Sequence, residues 1–185
     1  MLSSSGPNRA VFDFFPNNDR SNLDVYNADP GLPVFFNSST MTLSQLSQSG
    51  LRKTVFGFCG MPTFLNREIL EVSLLPESKQ QNLQAVCGSL ETKYRMVADR
   101  VGLVTPRVIC MIINEAYRTV EEGTATREDI DLAMKLGTNY PYGPFEWADR
   151  IGPVNVVNIL SAVYRETRDE RYLICTLLRE RAGVQ

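Results

Sequence analysis

The sequence predicts an α+β chain: a small α/β segment over residues 23–101 followed by an all-α segment over 102–185, behind a polar tail at 1–22. Three observations carry this. Short apolar runs of strand type precede residue 100, as in Pro33-Val34-Phe35-Phe36-Asn37. From Leu103 onward the apolar residues recur at helical spacing instead. Glycines and prolines punctuate that second half where helices stop and start.

In chain order, residues 1–22 are polar, with Ser3-Ser4-Ser5-Gly6-Pro7 and Pro16-Asn17-Asn18-Asp19, and read as a loosely ordered arm. The run at 33–37 follows the breaker Pro30-Gly31 and is a buried-type strand. Thr42 to Ser49 has the pattern of a short helix ended by Gly50. Thr54 to Cys59 and Ile69 to Leu75 read as further strands, Lys93 to Ala98 as a fourth. Between the last two, Lys79 to Leu90 is amphipathic, with Leu83, Val86 and Leu90 on one face. Four strands are too few for a full doubly wound domain.

Thr105-Pro106 opens the helical part as cap residue and proline. Ile109, Ile112, Ile113, Ala116 and Val120 then make one stripe, flanked by Val108 and Met111, an arc wide enough to predict burial on two sides. Gly123 ends that helix. Thr126-Arg-Glu-Asp129 resembles a capping box and opens a helix that Gly137 closes. Pro144 and Pro153 each sit at a helix start with Gly152 between them, and 170–182 is a last amphipathic helix carrying Tyr172, Cys175 and Leu178.

Composition excludes whole classes of chemistry. The chain has 185 residues, a net charge of −2 and no histidine. That charge gives no footprint for nucleic acid or an anionic membrane. Without imidazole, any mechanism needing histidine as base, acid or metal ligand within these residues is excluded. Cys59, Cys87, Cys110 and Cys175 are widely spaced, form no C-x-x-C pair, and leave no metal site to predict. No apolar run reaches the length of a membrane span, and the opening MLSSSGPNRAVFDFF has no basic start followed by an apolar core. A reducing, cytoplasmic setting is expected.

The identities add what periodicity cannot. The stretch Gly123-Thr-Ala-Thr-Arg-Glu-Asp-Ile-Asp-Leu-Ala-Met-Lys-Leu-Gly137, followed by Tyr140-Pro-Tyr-Gly-Pro-Phe-Glu-Trp-Ala-Asp-Arg-Ile-Gly152, resembles the C-terminal domain of the 3-hydroxyacyl-CoA dehydrogenases. Asp99-Arg-Val-Gly102, Asn114-Glu-Ala116, Arg168-Asp-Glu-Arg-Tyr172 and Leu177-Leu-Arg-Glu180 are similar to it as well, so the likeness covers about residues 99–182. It implies that 102–185 is the family's helical dimerisation domain and that 23–101 is a remnant of its Rossmann-type cofactor domain.

A weaker likeness extends upstream. Asn37-Ser-Ser-Thr40 resembles the family's N-T-S-S segment. In that register Cys59 takes the position of the catalytic histidine, and Glu71 that of the glutamate that orients it. Ser39 falls on the serine that contacts the substrate hydroxyl, beside Asn37. The family's G-F-x-x-N-R motif becomes Gly102-Leu-Val-Thr-Pro-Arg107, with Pro106 at the substrate-contacting asparagine. A thiol replaces the base, and its reference pKa near 8.5 leaves it mostly protonated at neutral pH. No G-x-G-x-x-G turn occurs. The resemblance thus implies NAD as the family's cofactor, while none is expected in this chain.

Each candidate has a plainer reading. Cys59 is either a nucleophile, which Arg52 and Lys53 would have to activate, or a structural or vestigial thiol. Glu71 without its imidazole is a retained carboxylate. Ser39 contacts substrate, or Asn37-Ser38-Ser39 caps the helix near Thr42. Tyr140, Tyr142, Phe145 and Trp147 line an acyl pocket or pack as core. Arg107 and Lys135 hold a CoA phosphate or are solvated charges. The resemblance implies a catalytically impaired homologue, a pseudoenzyme that dimerises through its helical domain and binds acyl-CoA or a protein partner. The alternative is an active oxidoreductase with a non-standard or partner-supplied NAD site.

Overall fold

Val34, Phe35, Phe36 and Asn37 are all buried, as are Val55, Phe56, Gly57 and Phe58, and strands buried on both faces need cover on both. A computed structural model, which describes residues 10–14, 20–29, 31–48, 55–65, 67–76, 78 and 80–184, shows how that cover is arranged. The fold is α+β. One compact unit comprises Met1–Gly60 and Leu65–Leu103, the other Met61–Phe64 and Val104–Gln185.

The first unit is a five-stranded sheet in the order β1 (Val11–Asp13), β2 (Val34–Asn37), β3 (Val55–Phe58), β4 (Ile69–Leu74) and β5 (Lys93–Val97). β1, β2 and β3 run parallel, β4 runs antiparallel to β3, and β5 runs parallel to β4. Three helices accompany it: α1 (Arg20–Ala28), α2 (Leu43–Ser47) and α3 (Gln80–Ser89). On one face Val34, Phe36 and Val55 pack with Leu43 and Leu46 of α2. On the other, Phe35, Phe56, Phe58 and Val72 pack with Leu83, Val86 and Cys87 of α3. Each such side chain taken from water contributes about 1.5–3 kcal/mol.

The sheet corrects the reading of 1–22 as a tail: Val11–Asp13 pairs with Val34–Phe36, and Phe12 stacks on Phe35 at 4.5 Å. A strand of three residues is too short for a periodicity to register. Residues 1–9 and 15–19 of that stretch lie outside the described residues, as do Gly50, Arg52 and Lys53.

The second unit is helical: α4 (Thr105–Glu121), α5 (Arg127–Thr138), α6 (Pro144–Ile151), α7 (Pro153–Thr167), a 3-10 turn at Glu170–Tyr172, and α8 (Thr176–Ala182). α4 packs against α5, α6, α7 and α8, and buries Ile109, Cys110, Ile113, Ala116 and Tyr117. Asn114 is buried inside it and satisfied at both ends: Nδ2 donates to Leu173 O at 2.9 Å, and Oδ1 accepts from Cys175 N at 3.0 Å. That amide fixes the entry into α8.

Helix ends differ from expectation in three places. Thr105 is the first residue of α4 and no side chain caps it; Val104 precedes it. Gly137 lies within α5, which Asn139 ends in the left-handed conformation at φ 54°, a role asparagine shares with glycine. The helix expected over 170–182 breaks into the 3-10 turn and α8, because Asp169 caps the turn through Arg171 N at 3.1 Å.

Candidate functional site at the strand ends

Two residues on different strands can be brought together by register alone. β3 and β4 pair Phe56 with Leu74 and Gly57 with Ser73. In an antiparallel pair each step forward on one strand is a step back on the other. β3 ends at Phe58; extrapolated one residue past the strand, its register points from Cys59 to Glu71. Their twelve-residue spacing is therefore the spacing of a hairpin. On the far side of Glu71 stands Arg95 of β5, its register partner. Cys59 is 4% exposed and Glu71 half-buried.

The carboxyl ends of β1, β2 and β3 fall at this same edge, where open α/β sheets place their ligand sites. Asn37 ties the three together. Its Oδ1 accepts from Gly60 N at 3.0 Å, Ser39 N at 3.3 Å and Ser39 Oγ at 2.6 Å, while its Nδ2 donates to Phe14 O at 3.1 Å. Ser38 N adds a bond to Phe58 O at 2.8 Å. A Cβ at Gly60 would stand 2.9 Å from the Phe14 ring and 3.1 Å from Asn37 Cγ, so the chain passes here only as glycine. Asn37 is thus a brace rather than a free amide, and it aims the Ser39 hydroxyl.

The reading of Asn37-Ser38-Ser39 as a helix cap gives way to a different arrangement. Thr42 caps α2, accepting from Gln45 N at 3.1 Å, while the Gln45 side chain accepts from Thr42 N at 2.9 Å. Asp99, far along the chain, completes it by accepting from Leu43 N, Ser44 N and Ser44 Oγ at 2.8–2.9 Å. Carboxylate at a helix N-terminus is favoured by the exposed N–H groups and the dipole.

One polar group beneath this edge has no partner. Gly57 is wedged between Ser38 and Ser73, where a Cβ would run into both hydroxyls, and Ser73 Oγ is buried without a hydrogen bond.

In the helical unit the candidate residues are occupied with structure. Lys135 pairs with Glu146 at 2.7 Å and Arg107 with Glu166 at 3.0 Å. Hydrogen bonds from Lys135 and from Gly143 N hold the Glu146 carboxyl below its ordinary value. Tyr140 packs on Trp147 at 5.3 Å, Tyr142 on the same ring at 6.3 Å, and Phe145 on Tyr117 at 4.7 Å. Pro106 is buried at the start of α4.

Asp131 went unnoticed in the sequence and is central here: it caps α6 by accepting from Phe145 N at 2.8 Å and Glu146 N at 3.2 Å. A Cβ on Gly143 would collide with that carboxylate, which explains the glycine of Tyr142-Gly-Pro-Phe145.

Among the described residues all four cysteines are buried and in no disulfide, and no group of three or more acidic or thiol side chains could hold a metal. Burial pushes the Cys87 and Cys175 thiols up, which keeps them protonated and inert. What the strand edge offers chemically is a buried thiol just past the end of β3 and a braced hydroxyl, with no imidazole in the sequence.

Comparison with known proteins places this geometry. Residues 102–183 match the 3-hydroxyacyl-CoA dehydrogenase C-terminal domain. The 3-hydroxyadipyl-CoA dehydrogenase of Escherichia coli is 43% identical over 86 residues, covering 46% of this chain and 18% of that protein. The 3-hydroxybutyryl-CoA dehydrogenase of Clostridioides difficile is 30% identical over 146 residues, 77% of this chain and 52% of that one. The crystal structure of (S)-3-hydroxybutyryl-CoA dehydrogenase from Ralstonia eutropha superposes with a TM-score of 0.78 at 25% identity, over 92% of this chain and 64% of that one. The chain spans about half the length, or less, of these two curated relatives.

These matches correct one expectation, that of no cofactor. They are to dehydrogenases, and the match extends through the sheet as well as the helices, so NAD belongs to the chemistry of this group.

Proposed function

Because the chain belongs to the 3-hydroxyacyl-CoA dehydrogenase family, we propose that it keeps the framework of that family's proton-transfer site without its base, and that its dehydrogenase activity is impaired. The hairpin register that points from Cys59 to Glu71 carries this reading. A carboxylate there would orient an imidazole and raise its basicity. A thiol accepts protons only as thiolate, a minor form at neutral pH. Loss of a positioned base costs about 10²–10⁴-fold in rate. Pro106, at the position of the family's substrate-contacting asparagine, also lacks a donor.

The retained function is then binding of an acyl-CoA thioester or a protein partner by a homodimer. Support for the dimer is the outer face of α5, where Leu132 is 54% and Leu136 78% exposed one turn apart, together with Val104 and Val108 at about half exposure. α5 buries none of its own side chains, and unpartnered apolar faces of that kind mark association surfaces. Four buried cysteines in no disulfide suit a reducing, cytoplasmic setting.

The test is an assay of the protein and of Cys59→His with acetoacetyl-CoA and NADH, alongside calorimetric titration of each ligand. The expected result is thioester binding by both proteins, with turnover in the parent at least ~10²-fold below a histidine-bearing relative. Turnover equal to that relative would instead establish an active oxidoreductase, with a cofactor site of another kind.

A further inference from the structure

β5 is the outermost strand of the sheet, and it borders a groove. Beside it, between the strand and α3, lies an open trough of about 710 Å³, lined by Gln84, Cys87 and Gly88 of the helix, by Thr92 and residues 93–96 of the strand, and by Ile69 of β4. Among the described residues β5 pairs only with β4, so the backbone N–H and C=O groups along its outer side meet no neighbouring strand. Its side chains alternate. Tyr94 packs toward the α3 core, with Met96 on the same side and 50% exposed, while Lys93 and Arg95 project from the other face and are exposed. On that outer face the register partner of Arg95 is Glu71. Lys93 is paired with Glu68, but both side chains are more than two-thirds exposed, and such a pair exchanges at little cost.

We propose that β5 is a docking edge for an extended, acidic segment of a partner protein, which adds to the sheet as a sixth strand. The charge pattern selects the occupant. Residues facing each other across two strands lie on the same face, so a partner with acids at alternate positions meets Lys93 and Arg95. Its intervening apolar side chains then enter the trough against Tyr94 and Met96. The same pattern rejects a second copy of this chain: antiparallel self-pairing centred on Tyr94 sets Lys93 against Arg95, and centred on Arg95 it sets that residue against itself. The edge borders the strand-end site through Arg95, the register partner of Glu71, but it does not depend on whether Cys59 supports any chemistry.

The test is fluorescence anisotropy with a labelled seven-residue peptide of alternating valine and glutamate, against the same peptide with lysine for glutamate. Saturable binding of the acidic peptide is expected. It should weaken about tenfold or more on raising salt from low to half-molar, and slow amide exchange at residues 93–97. The variant K93E/R95E should lose it by at least tenfold. Gly88→Phe fills the trough from a position where an added Cβ meets nothing within 4 Å, and it should abolish binding with the fold intact by circular dichroism. Equal binding of the lysine peptide, binding unchanged in both variants, no binding at all, or a dimer that K93E/R95E dissociates would each overturn the proposal.

Discussion

The two units use their polar residues differently. In the helical unit the residues that make the sequence recognisable are those that hold it together: Thr126 caps α5, Asp131 caps α6 past Gly143, Lys135 pairs with Glu146, and Asn114 secures the approach to α8. In the sheet unit the polar residues gather at one edge, where Asn37 braces three strand ends around positions 39 and 59. Changing a helical fingerprint residue removes a cap or a pair. Changing residue 59 alters the chemistry of the edge and leaves the brace in place.

That contrast can be broken, most sharply at Asn37. Asn37→Ala leaves Gly60 N, Phe14 O and the Ser39 hydroxyl without their partner inside the sheet unit. The expected loss is on the order of 3 kcal/mol, at about 1–3 kcal/mol per stranded buried group, read as faster amide exchange across β2 and β3. A loss below about 0.5 kcal/mol, the level of a neutral surface change, would mean that the strand ends need no brace.

Asp131→Ala is the helical counterpart. It removes the cap of α6 and is expected to cost about 1–2 kcal/mol. Trp147, the chain's single tryptophan, lies in α6 and reports it: the fluorescence midpoint in urea should fall, while Asp131→Asn recovers part of the loss. Smaller still is Ser73→Ala, which deletes a buried hydroxyl with no partner. It should be neutral or stabilising by up to about 1 kcal/mol, and a clear destabilisation would reveal a bond to that oxygen.

The smallest effect is a pH dependence. Glu146 has a folded-state pKa held below the ordinary 4.5 by Lys135 and by the Gly143 N–H. Its ionised form is therefore favoured by folding, so the gain is complete above the ordinary value and disappears as pH falls through the lowered one. Melting curves of the parent and Lys135→Met should differ at pH 7 and converge in acid. Curves that stay parallel to pH 3 would exclude the pair as the cause.

Much of the helical unit was legible because its signals are local. A proline at a helix start, a threonine three residues before an aspartate, and a positive-φ glycine such as Gly123 at 71° act within a few residues. Asp99 and Asp131 were not legible as caps, since the N–H groups they serve lie 55 and 14 residues away. Gly137 misled for the converse reason: glycine ends a helix only if the backbone turns left-handed there, and Asn139 makes that turn instead. The strand Val11–Asp13 left no pattern to find. At the candidate site, Cys59 and Glu71 were matched by spacing and resemblance, and the sheet pairs their neighbours Gly57 and Ser73. What Asn37 does could not be read in advance, because each of its partners comes from a different strand end.

The brace around position 59 has a consequence for inheritance. Because Gly60 is held from its backbone by Asn37, the residue before it can be exchanged without the main chain following. Whether position 59 carries a thiol or an imidazole, the strand end that presents it is set by a hydrogen bond in which that side chain takes no part.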